Sequence, residues 1–453
     1  MKYLLHLFKA DRGGECPRLV FKKAAQVFML LLCFGNVEPL CAEDEADSGV
    51  SPFSYSLLLR GEGEWIDLGN SLLNPDNLLR RYDERYEGFL LGSAMYRGLG
   101  GVVETELRLG YEYLAGESLT ASFDGDELST VINQLYYRSS SEPFSFVLGR
   151  KKVRWGVGYS YSPTDLVTQL KNPEDPDDRL SRVEGADLLQ VSYLNGSSQI
   201  DLVYFPEVDW NFDDSFIGKN RVGMRWYQFI DPFDLSFVGM IDDDGEWAAG
   251  LNTSVAVGNA LELHAEYLYS SDNNRSYPDT EVNPEQFIYP YFPSSGDGVH
   301  DVVVGGQYTF DNDLNLTFEY LYRSSGYSDS GFDAYYNHIA WLNNQYLQLV
   351  DNESAASGLN EAAVNFRAPQ RRHYLFTRLY HPEVIRFVSL EMYSYVGLED
   401  GSGFFVIMPT YKGSDSFDLY VRLKKFWGDQ DAEFGLVPED VSAIVGVSLY
   451  MGG

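Results

Sequence analysis

The sequence predicts an all-β chain closed into a transmembrane antiparallel β-barrel of about eighteen strands (16–18), with short turns at one rim and long loops at the other. Three observations carry this. From residue 53 onward apolar and polar residues alternate with a period of two, long and short connections alternate along the chain, and aromatic residues gather where strands end.

Composition is consistent with that class. The 453 residues carry a net charge of -33 and are 44% hydrophobic and 15% aromatic. So many aromatics exclude a disordered chain, and the acidity excludes a nucleic-acid partner bound through phosphates. A mean hydropathy of -0.25 excludes only a helical membrane protein, because a barrel needs apolar residues at alternate positions alone. No stretch after the leader reaches 18 uninterrupted apolar residues.

The N-terminus reads as a cleaved signal peptide over 1–42. Lys22 and Lys23 precede the apolar run 24–34, and Gly35, Pro39 and Ala42 follow. Cys16, Cys33 and Cys41 all fall within it, so the mature chain has no cysteine, as suits export without a disulfide framework. Residues 43–52 form a short periplasmic segment, too short for a plug domain, and the barrel occupies 53–453.

Strand-like segments begin near residues 53, 86, 102, 129, 144, 187, 198, 217, 233, 246, 260, 300, 314, 372, 384, 402, 416 and 440. The alternation is plain in several. Val103, Leu107, Leu109, Tyr111 and Tyr113 oppose Glu104, Glu106, Arg108 and Glu112. Leu261, Leu263, Ala265, Tyr267 and Tyr269 oppose Glu262, His264 and Glu266. Leu314, Leu316, Phe318, Tyr320 and Tyr322 oppose Asn315, Thr317, Glu319 and Arg323, and Phe417, Leu419, Val421 and Leu423 oppose Asp418, Tyr420, Arg422 and Lys424.

Every second connection is a tight turn, among them 98–101, 139–143, Asn195-Gly196, Asp231-Pro232, 311–313, 381–383 and 413–415. The intervening connections are mostly long, at 66–85, 115–128, 153–186, 206–216, 272–298, 325–370 and 427–439. A soluble sandwich has no reason to sort loop length by parity, whereas a barrel threaded from one side of a membrane does. Tyr111/Tyr113, Tyr267/Tyr269, Tyr320/Tyr322 and Phe426/Trp427 lie before the long connections, and Tyr136/Tyr137, Trp226/Tyr227 and Tyr308/Phe310 near the tight turns. They read as two interfacial girdles. Within 325–370, Asp333 reads as an N-cap, and Ile339, Leu342, Tyr346 and Leu349 follow helical spacing, a short helix that would either narrow the mouth or pack as a lid.

In this acidic chain, Arg150, Lys151, Lys152 and Arg154 place four positive charges in five residues, at the outer end of the fifth strand. They would either line a lumen and favour anions or pair with neighbours such as Glu104, Glu106 and Glu112. The string from Gly149 to Gly156, with the turn Ser162-Pro163-Thr164-Asp165 after it, resembles the strand-to-loop signature of large bacterial outer-membrane porins, the alginate-export-like barrels among them. Gly149, Arg150, Trp155, Gly156, Pro163 and Asp165 match. The resemblance implies a solute-conducting barrel in the outer membrane of a Gram-negative envelope, whose basic lining favours acidic solutes such as acidic sugars. The extra Lys151/Lys152 pair and the overall acidity depart from it.

The acidic runs 174–178 and 242–244 lack the spacing of a calcium loop, and the mature chain's five histidines, at 264, 300, 338, 373 and 381, lack zinc-ligand spacing, so no metal or cofactor is expected. The sequence thus predicts a non-enzymatic channel for small hydrophilic solutes, surrounded by outer-membrane lipid and lipopolysaccharide and compatible with a homo-oligomer. Its lining or rim candidates are Arg108, Arg150, Lys151, Lys152, Arg154, Arg323, Arg422, Lys424, Glu104, Glu106 and Glu112. The rivals are a scaffold or adhesin barrel that binds partner proteins and an outer-membrane lipid hydrolase.

Overall fold

A computed structural model describes residues 52–98, 100–118, 121–167, 183–208, 219–273, 275–293, 298–348, 352–366 and 369–452. The leader, residues 43–51, the acidic run 174–178 and Leu349 lie outside the described residues.

In chain order the strands are β1 (Phe53–Leu68), β2 (Glu84–Gly98), β3 (Gly101–Glu117), β4 (Ser122–Ser141), β5 (Phe144–Lys151), β6 (Ala186–Asn195), β7 (Ser198–Phe205), β8 (Arg221–Ile230), β9 (Phe233–Asp242), β10 (Trp247–Val257), β11 (Leu261–Ser270), β12 (Ser276–Pro278), β13 (Tyr291–Pro293), β14 (Val299–Thr309), β15 (Asn315–Arg323), β16 (His373–Ile385), β17 (Val388–Gly397), β18 (Gly403–Ser414), β19 (Phe417–Trp427) and β20 (Glu439–Gly452). Eighteen of them form one antiparallel sheet in which neighbours in sequence are neighbours in space, with β11 pairing β14 across the small β12–β13 hairpin. The sheet closes where β20 pairs both β19 and β1, Leu59 lying opposite Leu449. Closure leaves no strand edge with unpaired backbone groups, a requirement within hydrocarbon.

Register sorts the side chains. On β3, Leu107, Leu109 and Tyr111 are exposed outward, whereas Glu104, Glu106, Arg108 and Glu112 share the lumen face. On β15, Phe318 is exposed and its neighbours Glu319 and Leu321 are fully buried. Rings pack together at the long-loop rim (Trp65 on Tyr86, Trp247 on Tyr269) and at the tight-turn rim (Phe144 on Tyr193, Tyr308 on Phe310). The girdles read from the sequence therefore exist as belts on the outer wall, but Tyr136 and Phe426, counted among them, face inward and are buried. Among the described residues no helix is long and apolar enough to cross a membrane.

Four local expectations are corrected. The 115–128 connection is not a long loop: β3 and β4 pair as far as Glu117 and Ser122, because the alternation continues through the polar residues. The turn expected at 381–383 lies inside β16, and the chain reverses at Arg386-Phe387, Phe387 having φ 66°; Pro382 is absorbed by an irregularity in register between His381 and Ile385. The 325–370 loop holds two helices, α1 (Asp329–Leu347) and α2 (Asn352–Asn365). The N-cap of α1 is Ser328, whose hydroxyl accepts the Gly331 N–H, so Asp333 lies inside the helix.

The two helices belong to a cap at the long-loop rim. Ile339 and Leu342, both fully buried, pack with Leu73, Tyr327, Phe332, Tyr335, Leu359 and Leu436, and Tyr346 packs at the margin of this cluster. Loop 69–83 is tied in by Asn343 Nδ2 donating to Leu72 O at 2.8 Å and by Ser71 Oγ donating to Leu436 O at 2.6 Å.

Candidate functional site

After β5 the chain turns into the barrel instead of rising from it. Residues 152–167 run along the lumen wall and are held there by buried acceptors. Glu266 of β11, 1% exposed, takes the backbone N–H of Val157 (2.6 Å), Gly158 and Thr164 (3.0 Å) and the hydroxyls of Ser162 (2.9 Å) and Thr164 (2.7 Å). Glu319 of β15, fully buried, takes the N–H groups of Tyr159 and Ser160 (2.7 Å) and the Ser160 hydroxyl, and pairs with His264 Nε2 at 2.8 Å. A carboxylate surrounded by donors is a strong acceptor, and removing it leaves several buried donors unsatisfied.

Further contacts fix the rest of the segment. Asn252 of β10 donates to Trp155 O at 2.9 Å and to Thr164 Oγ1 at 2.8 Å, and Tyr161 OH donates to Asp301 of β14 at 2.8 Å. The segment folds back on itself through Asp165, which accepts the Trp155 N–H at 2.8 Å. Close approach favours glycine at two points. A Cβ on Gly156 would lie 1.6 Å from Ser162 Oγ, and one on Gly158 would lie 2.1 Å from Tyr161 O. Apolar contacts complete the seal. Val153, Trp155 and Val167 pack with Tyr136, Val147, Leu188, Val203, Phe205 and Val238 of β4–β9, and Tyr161 joins the aromatic lining of β14–β19.

The family-like residues thus all lie in or beside this inward segment. The basic tract is largely committed to partners. Arg150, 5% exposed, forks onto Asp187 (Nε–Oδ1 3.0 Å, Nη2–Oδ2 2.6 Å) and reaches Glu184 at 3.4 Å. Lys152 pairs with Glu106, Lys151 lies over the Tyr136 ring, and Arg154, 44% exposed, lies 3.5 Å from Asp165. Arg323 sits over the Tyr161 ring at 5.1 Å, beneath the segment's tip.

The segment and the aromatic lining cover the wall from β5 round to β18. The contiguous arc β19–β20–β1–β2–β3 keeps a charged lumen face, and there lie Arg108, Arg422, Lys424, Glu104, Glu106 and Glu112. Arg85 of β2 is clamped by three carboxylates, Glu112 at 2.5 Å, Glu87 at 2.6 Å and Glu64 at 3.7 Å. Glu62, Glu87, Glu112 and Glu127 stand opposite one another on four successive strands. Like charges in register cost stability, so this row is held by the arginine beside it. Arg108 differs from Arg85: its Nε is buried with no hydrogen-bond partner among the described residues. Cavities of about 430 Å³ and 340 Å³ open above the arc on either side of loop 69–83, the first between that loop and β19–β20, the second beside Arg80, Tyr82 and β3–β4.

Sequence reasoning missed Glu266, Glu319, Asn252 and Asp301. A signal was present. Glu-Tyr-Leu-Tyr occurs twice, at 266–269 and 319–322, and in both copies the glutamate pins the inward segment.

No protein-family model matches the chain, and no curated protein matches it by sequence. Solved structures do. OccAB1 of Acinetobacter baumannii superposes with a TM-score of 0.55 at 10% identity, over 91% of this chain and 99% of that one. Pseudomonas aeruginosa OccK5 (OpdH) gives 0.54 at 8% identity (88% and 98%), and OccK7 (OpdD) of the same organism 0.54 at 10% (89% and 100%). These are outer-membrane porin barrels, and the likeness fixes the fold as theirs; they give the alginate-export-like subtype no support.

Proposed function

We propose that the chain is an outer-membrane channel through which small hydrophilic solutes diffuse, constricted by residues 152–167 on one side and lined on the other by the charged arc β19–β20–β1–β3. The observation that carries this is the pinning of the inward segment by Glu266 and Glu319, which narrows the lumen from the β11–β15 side. The porin fold of the solved neighbours supports a conducting barrel in a Gram-negative outer membrane. No covalent step is assigned, and specificity rests on lining charge and width.

The preference for acidic solutes implied by the basic tract finds little in its geometry, because Arg150 and Lys152 are each matched by carboxylates. We read these two as structural and take Arg108, Arg85 and the glutamate row as the charges a solute meets. The test is to refold the mature chain in detergent and record currents in planar bilayers. Discrete conductance steps are expected; a folded, β-rich protein that gives none would remove the channel reading and favour a closed scaffold barrel.

A further inference from the structure

Two stations on the lipid-facing wall share one construction. On β11, Tyr267 and Tyr269 point outward, and His300 of β14 lies directly opposite Tyr269 in register. The rings of Tyr269 and His300 are 5.0 Å apart, and the Tyr267 hydroxyl meets His300 Nδ1 at 2.8 Å. Two strands on, Tyr320 and Tyr322 of β15 repeat the pattern with His373 of β16: register opposes Tyr322 to His373, their rings are 5.0 Å apart, and the Tyr320 hydroxyl meets Nδ1 at 2.6 Å. These are the outward faces of the same two Glu-Tyr-Leu-Tyr stretches whose glutamates hold the inward segment. Outward parity is fixed by their neighbours: Val304 and Phe318 are exposed, and Val303, Glu319 and Leu321 are fully buried.

In both stations Nδ1 is taken up by the tyrosine hydroxyl, which leaves Nε2 as the ring nitrogen available to a ligand. Neither Nε2 has a hydrogen-bond partner among the described residues. Two imidazole rings, each with Nε2 open, are thus held at the long-loop belt, where hydrocarbon gives way to headgroups. Nearby polar groups are otherwise engaged: Glu399 accepts the backbone N–H of His373 at 3.0 Å, and Ser324 Oγ accepts that of His300 at 2.7 Å. Two strand spacings across and one side-chain repeat along separate the stations by roughly 12 Å. A glycolipid bearing a phosphate at each end of a disaccharide presents its anions on that scale.

We propose that His300 and His373 form a bipartite site for the phosphates of an outer-leaflet, diphosphorylated glycolipid. The site rests on the outer-membrane reading, and it assigns the two tyrosines the work of fixing ring orientation while the histidines make the contact.

The test uses the full mature barrel, native mass spectrometry in detergent, and two probes: diphosphorylated lipid A and its dephosphorylated form. The wild type is expected to retain the phosphorylated lipid, and the double variant His300→Gln/His373→Gln to retain about tenfold less, the scale of a charge-assisted hydrogen bond. Tyr267→Phe/Tyr320→Phe, which keeps the rings, should give an intermediate loss. Equal retention by wild type and the histidine variant, or equal retention of both lipids, would overturn the site. Bilayer currents separate the two readings: a histidine variant that conducts normally and loses lipid supports the site, whereas a wild type that never conducts refutes the channel and leaves lipid retention to decide the site.

Discussion

The carboxylate of Glu266, on β11, accepts the backbone N–H of Thr164 at 3.0 Å, across a separation of 102 residues. That bond and its companions turn a loop into a wall of the lumen. Replacing Glu266 by alanine leaves three backbone N–H groups and two hydroxyls without their acceptor, at about 1–3 kcal/mol for each that stays buried. The expected outcome is a looser segment in an intact barrel: larger, noisier single-channel currents with unchanged heat-modifiable migration on gels. Glu266→Gln should fall between, since the amide keeps one acceptor oxygen but turns an NH₂ toward donors.

Gly158→Ala makes the same claim from the opposite side. Its Cβ would meet Tyr161 O at 2.1 Å, and a backbone oxygen cannot swing away as a side chain can. The segment has to leave its seat on β11 and β15. Conductance should change by a factor of two or more, about what a visible widening of a constriction gives, while Gly125→Ala, where a Cβ meets nothing within 4 Å, should leave it unchanged.

Ion selectivity separates committed charges from available ones. Arg85→Gln removes the guanidinium that pairs with Glu64, Glu87 and Glu112, and Arg108→Gln removes one with an unmatched Nε. Both should shift the reversal potential toward cation selectivity. Lys152→Gln should shift it less, because it unmasks one carboxylate, Glu106, which keeps the Asn133 amide as a donor.

The cap carries a pH response. Glu433, fully buried, accepts from Gln370 N at 2.7 Å and Tyr374 OH at 2.6 Å, and burial pushes its carboxyl up to about 7 despite those donors. An acid whose pKa is raised on folding binds more protons folded than unfolded, so its contribution to stability is present at low pH and is lost as pH rises through 7. His338 behaves oppositely: burial lowers it to about 4, so its contribution is present above its ordinary range and lost as pH falls toward 4. The cap should therefore be most stable between about pH 5 and 6.5. Hydrogen exchange at 369–372 and 430–437, corrected for intrinsic rates, should quicken from pH 6 to pH 8, and Glu433→Gln should flatten that rise.

How much of this was legible beforehand follows from what a period of two encodes. Alternation shows that Glu266 and Glu319 face inward, and loop parity orders the eighteen strands, so the barrel and its belts could be read directly. Alternation says nothing of depth. A glutamate that meets water, as Glu112 does beside the second cavity, and one sealed under a folded-in segment, as Glu319 is, look alike in sequence. The tract at 150–154 stood out by charge, yet its partners Asp187 and Glu184 come from beyond a long connection whose path no local pattern fixes. For the same reason α1 was visible by its spacing, and its true cap, Ser328, was displaced by five residues from the acid that resembled one.

The most direct measurement uses the fact that residues 43–453 hold no cysteine. A single Ser93→Cys substitution places a thiol on the lumen face of β2, between Ser56 and Glu106 in register and on the uncovered arc. Modification by a bulky charged thiol reagent during a planar-bilayer recording should reduce the current through every open channel. Full labelling with no change in current would show that solutes do not pass along this arc.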